Sequence, residues 1–166
     1  MDAVLLSTLL STCAPQVHPG TAAALVAVES SGNPHAIGVV GGALVRQPTN
    51  LREGIATARA LHAGGWNFSV GLGQINLHSF SRLGLSIESA FNPCTNLAAM
   101  QTVLGECFTS VPRDRSEAVR LRDALSCYYS GNFSTGHRHG YVRKVVFASA
   151  RPAASSSVLP TRKERL

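Results

Sequence analysis

Nine carboxylates occur among the 166 residues, and Glu29 stands apart from the others. It closes an apolar run, Ala22 to Val28, and is followed by Ser30-Ser31-Gly32-Asn33-Pro34. A loop of that composition leaves one side of the carboxyl open while the preceding helix covers the other. At the C-terminal end of a helix the group also meets the negative pole of the helix dipole, which disfavours ionisation and raises the pKa. A glutamate kept protonated near neutral pH can serve as a general acid, for example on a glycosidic oxygen. Other carboxylates read as caps or surface groups: Glu53 and Glu117 at helix starts, Glu88, Asp114 and Asp123 among polar neighbours.

Two further segments could carry chemistry. In Gly71-Leu72-Gly73-Gln74-Ile75-Asn76 the glycines let backbone approach a ligand closely, and the Gln74 amide offers a donor and an acceptor together. Cys127-Tyr128-Tyr129-Ser130-Gly131-Asn132, followed by Gly140-Tyr141-Val142, supplies phenols and small polar groups. The run His137-Arg138-His139 lacks a third ligand at a recognisable metal spacing and reads as a solvated helix start. Trp66, the only tryptophan, is assigned to the core rather than to a sugar-stacking role. No metal or organic cofactor is expected.

Taken in order, these segments resemble soluble lytic transglycosylases of the lysozyme superfamily, over residues 13 to 147. The likeness is greatest to the small transglycosylases attached to type IV secretion systems, through Cys13-Ala14-Pro15-Gln16-Val17, Ala36-Ile37-Gly38-Val39-Val40 and Val70-Gly71-Leu72-Gly73-Gln74-Ile75-Asn76. The resemblance implies a mostly α-helical α+β fold, lysozyme-like in the manner of goose-type lysozyme, with a small β-hairpin or sheet beside the cleft. It implies that Glu29 is the catalytic acid/base, that Gln74 lines the cleft floor, and that the Tyr128 hydroxyl points at the glutamate. Gly73, Ile75, Asn76, Ser30, Tyr129 and Asn132 complete the implied glycan-binding set. Gly73 stands where many relatives have methionine, Tyr129 where many have asparagine, and Gly38 where many have a serine near the reacting N-acetyl group. Ser30, Ser31 or Asn132 is expected to replace that serine. The implied reaction cuts the MurNAc-GlcNAc bond of peptidoglycan and closes a 1,6-anhydro ring. Rival readings are a hydrolytic goose-type lysozyme and a catalytically weak wall-binding module.

Stepping outward to the supporting elements, apolar spacing predicts helices over residues 2 to 12, over 21 to 29 with Thr21 as cap, and over 51 to 62 with Asn50 and Glu53 forming a capping box. Further helices are predicted at 76 to 83, 94 to 108, from a cap at Asp114 through Tyr128, and at 138 to 149. Residues 36 to 46 read as two β-runs around a Gly41-Gly42 hairpin, and 67 to 70 as a third strand. One domain over 1 to 150 is expected, with 151 to 166 a disordered basic tail.

Net charge is +6, but Arg151, Arg162, Lys163 and Arg165 against Glu164 contribute +3 of it, leaving eleven basic and eight acidic groups in residues 1 to 150. With 6% aromatics and no basic stripe interleaved with stacking residues, nucleic acid is not an expected partner; an acidic cell wall suits the mild positive field. Peptidoglycan strands and secretion-system components are the expected partners. The apolar stretch Ala3 to Leu10 lacks a basic flank and is too short to span a bilayer, so no transmembrane segment is expected. Cys13, Cys94, Cys107 and Cys127 allow two disulfides in any of three connectivities, suiting an oxidising compartment such as the periplasm, or four buried thiols.

Overall fold

The computed structural model describes residues 1–150; the expected tail at 151 to 166 lies outside the described residues. Helix α1 (Ala3–Cys13) starts at Asp2, whose side chain accepts from the Leu5 N–H, and gives way to Pro15. Helix α2 (Pro19–Ser30) begins two residues before the predicted start. Pro19 occupies its first position, where a fixed φ suits the helix, and the His18 ring accepts from the Gly20 N–H. Thr21 therefore lies inside the helix, buried, and does not cap it.

Strand β1 (Ile37–Val39) pairs antiparallel with β2 (Phe68–Val70), which pairs antiparallel with β3 (Ile75–Asn76), in the order β1-β2-β3. The predicted hairpin around Gly41-Gly42 does not form. Gly41 turns the chain away at φ +73°, and the position a second run would have taken is filled by the Gln47 amide. Its Oε1 accepts from the Ile37 N–H at 2.8 Å and its Nε2 donates to the Ile37 carbonyl at 2.9 Å. The sheet partner of β1 is thus β2, with Val39 facing Phe68, and not the adjacent run.

Helix α3 (Leu51–Ala63) has Asn50 as cap, accepting from the Glu53 N–H at 3.0 Å. The reciprocal half of the capping box is absent, because the Glu53 carboxylate goes to Thr49 and Arg46. The predicted helix over 76 to 83 reduces to a 3₁₀ turn, Leu77–Ser79, and further turns. Its backbone bonds alternate between three- and four-residue spacing up to Gly84, which has φ +65°. Short α4 (Ile87–Ala90), which the periodicity does not reveal, is opened by a Ser86/Ser89 capping box.

Helix α5 (Pro93–Ser110) runs through the middle of the molecule, with α1 and α6 (Glu117–Ser130) packed on it. Ser116 precedes α6 without a side-chain cap bond, so Asp114 is not the cap that the spacing suggested. The helix predicted over 138 to 149 is α8 (Tyr141–Ser149), which starts after Gly140 at φ +75°; the short α7 (Thr135–Arg138) before it was not predicted. Leu25, Val26, Phe68, Val70, Leu72, Leu97, Met100, Leu125 and Val145 form the centre of the core. Two disulfides select one connectivity: Cys13 with Cys94, and Cys107 with Cys127. Both bridges end on α5, tying it to α1 and α6. Asp123, read from sequence as a surface group, is buried against Arg115 and His137.

Candidate active site

Glu29 sits in the last turn of α2 because the helix stops one residue later. Ser31 takes a left-handed conformation at φ 52°, and its N–H returns to the Ala27 carbonyl. The carboxyl group looks into a cleft of about 450 Å³ walled by Gln74, Ile75, Asn76, Tyr128, Tyr129, the β1 residues Gly38 and Val39, and Val40 just beyond them. Glu29 is the only carboxylate among the described residues that line it. Its carboxyl pKa is pushed up from the ordinary 4.5 to about 7. Burial is the dominant cause, and it outweighs a hydrogen bond that acts the other way, from the Tyr141 hydroxyl to Oε1.

The hydroxyl that donates to Glu29 therefore belongs to Tyr141, at the start of α8. Tyr128 instead donates to the Gly73 carbonyl at 2.5 Å, although its phenol is still held neutral by burial and by the charge of Glu29. Tyr141 stands in the sequence within Gly140-Tyr141-Val142, a segment marked as a source of phenols, but no role was assigned to it individually. Tyr129 stacks on Tyr141 with ring centroids 4.6 Å apart and planes 20° from parallel. Its hydroxyl meets His139 Nδ1 at 3.2 Å.

Gln74 is held in an unusual backbone conformation, φ 49°, that a non-glycine residue adopts at some cost in strain. Its Nε2 donates to the Ala36 and Gly71 carbonyls at 3.1 and 2.9 Å. With both donors spent on backbone, the amide oxygen is left as its acceptor for the cleft. A Cβ at Gly38 would lie 2.7 Å from that oxygen, so glycine at 38 is what this pose of Gln74 requires.

The loop carrying Gln74 is pinned from α5. Asn96, fully buried, donates to the Val70 and Ala90 carbonyls at 3.0 and 2.8 Å and accepts from the Gly73 N–H at 2.7 Å. A Cβ at Gly71 would lie 2.3 Å from the Asn96 amide nitrogen, and one at Gly73 would lie 2.9 Å from Met100 Cβ. These glycines serve loop packing, and Met100 occupies the space beside Gly73. Sequence reasoning missed Asn96; the only signal was an amide within the apolar face of a helix.

Three residues in the expected binding set lie off the cleft walls. Gly73 is buried between Asn96 and Tyr128. Ser30 donates to the Val26 and Leu72 carbonyls and so stitches the end of α2 to the loop. Asn132 accepts from the N–H groups of Ser134 and Thr135 and stabilises the turn before α7. Neither Ser30, Ser31 nor Asn132 supplies a hydroxyl or amide opposite Gly38. Ser69 does: it is the cross-strand partner of Gly38, lines the cleft, and accepts from Asn76 Nδ2 at 3.2 Å. Ser79 and Val103 are further lining residues that the sequence did not mark.

Among the described residues, no group of three or more His, Cys, Asp and Glu side chains is placed to hold a metal ion. No helix of the described residues is long and apolar enough to cross a membrane.

The transglycosylase SLT domain family matches residues 10–147. The type IV secretion system protein virB1 of Brucella suis biovar 1 is 45% identical over 159 residues, which cover 92% of this chain and 67% of that protein. Its counterpart in Brucella abortus biovar 1 is 48% identical over 145 residues, 83% of this chain and 61% of that protein. Protein virB1 of Agrobacterium fabrum is 38% identical over 141 residues, 82% of this chain and 56% of that protein. At least about a third of each relative therefore lies outside the match. No solved structure matches the chain.

Proposed function

The chain belongs to the transglycosylase SLT domain family, and from that premise we propose that it is a peptidoglycan lytic transglycosylase in which Glu29 is the single catalytic acid/base. The observation that carries this reading is the setting of Glu29: one carboxylate in the cleft, desolvated, and held by a phenol that stays neutral.

A carboxyl pKa near 7 means that a substantial fraction of molecules is protonated at neutral pH, as a general acid needs. Glu29 donates its proton to the oxygen linking MurNAc to GlcNAc, and the bond from that oxygen to the MurNAc anomeric carbon breaks. A paired-carboxylate glycosidase would place a second acid across the sugar ring. With none among the described lining residues, the N-acetyl oxygen of the same MurNAc stabilises the cationic centre. Glu29, now ionised, takes the proton of the MurNAc 6-hydroxyl as that oxygen closes the 1,6-anhydro ring. The proton taken up equals the proton given, so Glu29 returns to its starting form and no water is consumed.

Tyr141 steadies the carboxylate in its ionised half-cycle. The Gln74 oxygen and the Ser69 hydroxyl offer polar contacts to the glycan, with Ile75, Asn76, Tyr128 and Tyr129 as walls. Gly73, Ser30 and Asn132 act by shaping the loops behind them.

The virB1 relatives carry the name of a type IV secretion system. Local opening of the wall for such a machine, in the periplasm, is the role that this activity would serve. The two disulfides fit that oxidising compartment. Residues 1 to 150 constitute the catalytic domain.

The test is mass analysis of a cell-wall digest. The anhydro product is lighter than the hydrolysed one by one water. Muropeptides of the lighter mass, lost with Glu29→Gln, are expected; products of the heavier mass would assign the chain to hydrolysis. Equal lysis by the wild type and Glu29→Gln would remove Glu29 from the chemistry.

A further inference from the structure

The only tryptophan of the chain was assigned to the core from sequence, and the structure corrects this. Trp66 is 49% exposed. It lines a second cavity of about 610 Å³, walled also by His62, Leu77, His78, Leu85 and Ser86.

The position of its backbone is built into the end of α3. The Trp66 N–H donates to the Leu61 carbonyl at 2.9 Å and the Gly65 N–H to the His62 carbonyl at 3.0 Å, with Gly65 left-handed at φ +74°. This is the paired closure of a Schellman motif, which fixes the residue two places beyond the helix cap. Such a motif ordinarily directs that residue back onto the helix; here the residue remains about half exposed. The ring lies between two glycines. A Cβ at Gly64 would meet its Cδ1 at 3.1 Å, and one at Gly42 would meet its Cζ3 at 3.7 Å.

We propose that Trp66 is the platform of a second saccharide subsite, which takes a neutral N-acetylhexosamine ring of the same glycan strand that reaches Glu29. The inference rests on the glycan-cleaving reading above and adds to it a binding position away from the catalytic carboxyl. Two observations support it. First, the cavity is lined by aromatic, aliphatic, imidazole, amide and hydroxyl groups, with no carboxylate, lysine or arginine on its described walls. An uncharged sugar suits this lining, because its C–H face is apolar and slightly positive toward an indole π-face, while its hydroxyls are left for the rim. An acidic peptide stem would find no lysine or arginine there.

Second, residues of the cavity and of the catalytic cleft are joined at the end of the β1–β2 ladder. The Val40 N–H donates to the Asn67 carbonyl at 2.9 Å, joining a cleft residue to the neighbour of Trp66. The Gly42 position stands between Trp66 and Val39, and Val39 lines the cleft.

Because the chain has one tryptophan, its emission reports on this position alone. The experiment titrates the catalytically silent Glu29→Gln protein with the β-1,4-linked hexamer of N-acetylglucosamine, recording emission and binding heat together. A blue-shifted emission that saturates with the heat is expected. Heat without any change in emission overturns the subsite while leaving the enzyme reading intact. Absence of binding, together with absence of wall lysis by the wild type, overturns both.

A kinetic arm keeps the test independent of spectroscopy. Trp66→Ala is expected to raise KM on long glycan strands roughly three- to tenfold with little change in kcat, and Trp66→Tyr to restore most of it. An unchanged KM in a folded Trp66→Ala protein overturns the proposal.

Discussion

Replacing Glu29 with glutamine should stabilise the protein, and the gain should depend on pH in a way that isolates the buried carboxyl. The carboxyl pKa stands at about 7 against an ordinary 4.5. Ionising it in the folded state therefore costs about 3 kcal/mol more than in the unfolded chain, at 1.36 kcal/mol per pH unit. Below pH 4.5 both states hold the proton and the cost is absent. Between 4.5 and 7 the unfolded chain loses its proton first, so wild-type stability falls as pH rises, and above 7 the full loss is in place. Glutamine cannot ionise and escapes this loss. Differential scanning calorimetry of both proteins from pH 4 to 8.5 measures it. The gap in Tm should widen by about 6–12 °C over that range for a domain of this size and then level off. Titrations of every other group cancel in the difference. A gap that does not change with pH, or that is complete by pH 5.5, would refute the claim that burial holds this carboxyl protonated.

Removing the Tyr141 hydroxyl with Tyr141→Phe deletes the bond that favours the ionised carboxyl, so the alkaline limb of the kcat/KM profile should move upward. Turnover on wall fragments should fall roughly tenfold or more, in line with a hydrogen bond to a charged group. Asn96→Leu leaves two carbonyls and one N–H without their partner and should cost about 3 kcal/mol or more in chemical denaturation, with activity lost before global unfolding. Joint Cys13→Ser and Cys94→Ser substitution opens a loop with a sequence separation of 81 and should cost about 4 kcal/mol, against about 3 for the shorter Cys107–Cys127 loop. Thermal melts of the two double variants give that order.

The helical frame was legible because its signals are local. Pro93, Asn50, Gly64 and the 3.6-residue apolar rhythm each act within a few residues of where they stand. The predicted hairpin failed for the opposite reason. Whether Gly41-Gly42 joins two strands depends on what occupies the edge of β1, and the occupant is the side chain of Gln47. In the site, Glu29 was visible because an apolar run ending in an acid is a local pattern. The choice between Tyr128 and Tyr141 as its hydroxyl donor was not, since that depends on how α8 crosses α2. Ser30 and Asn132 have the composition of ligand-binding groups, but their hydrogen bonds are spent on backbone. Ser69 has no sequence signature and acquires its place through register opposite Gly38.

The side chain of Gln47 has a consequence for the company this molecule keeps. By offering an N–H and a carbonyl to Ile37, it stands in for a fourth strand one residue long, and the ladder ends there. An extended chain arriving alongside, whether another copy or a wall peptide, finds that rung already taken.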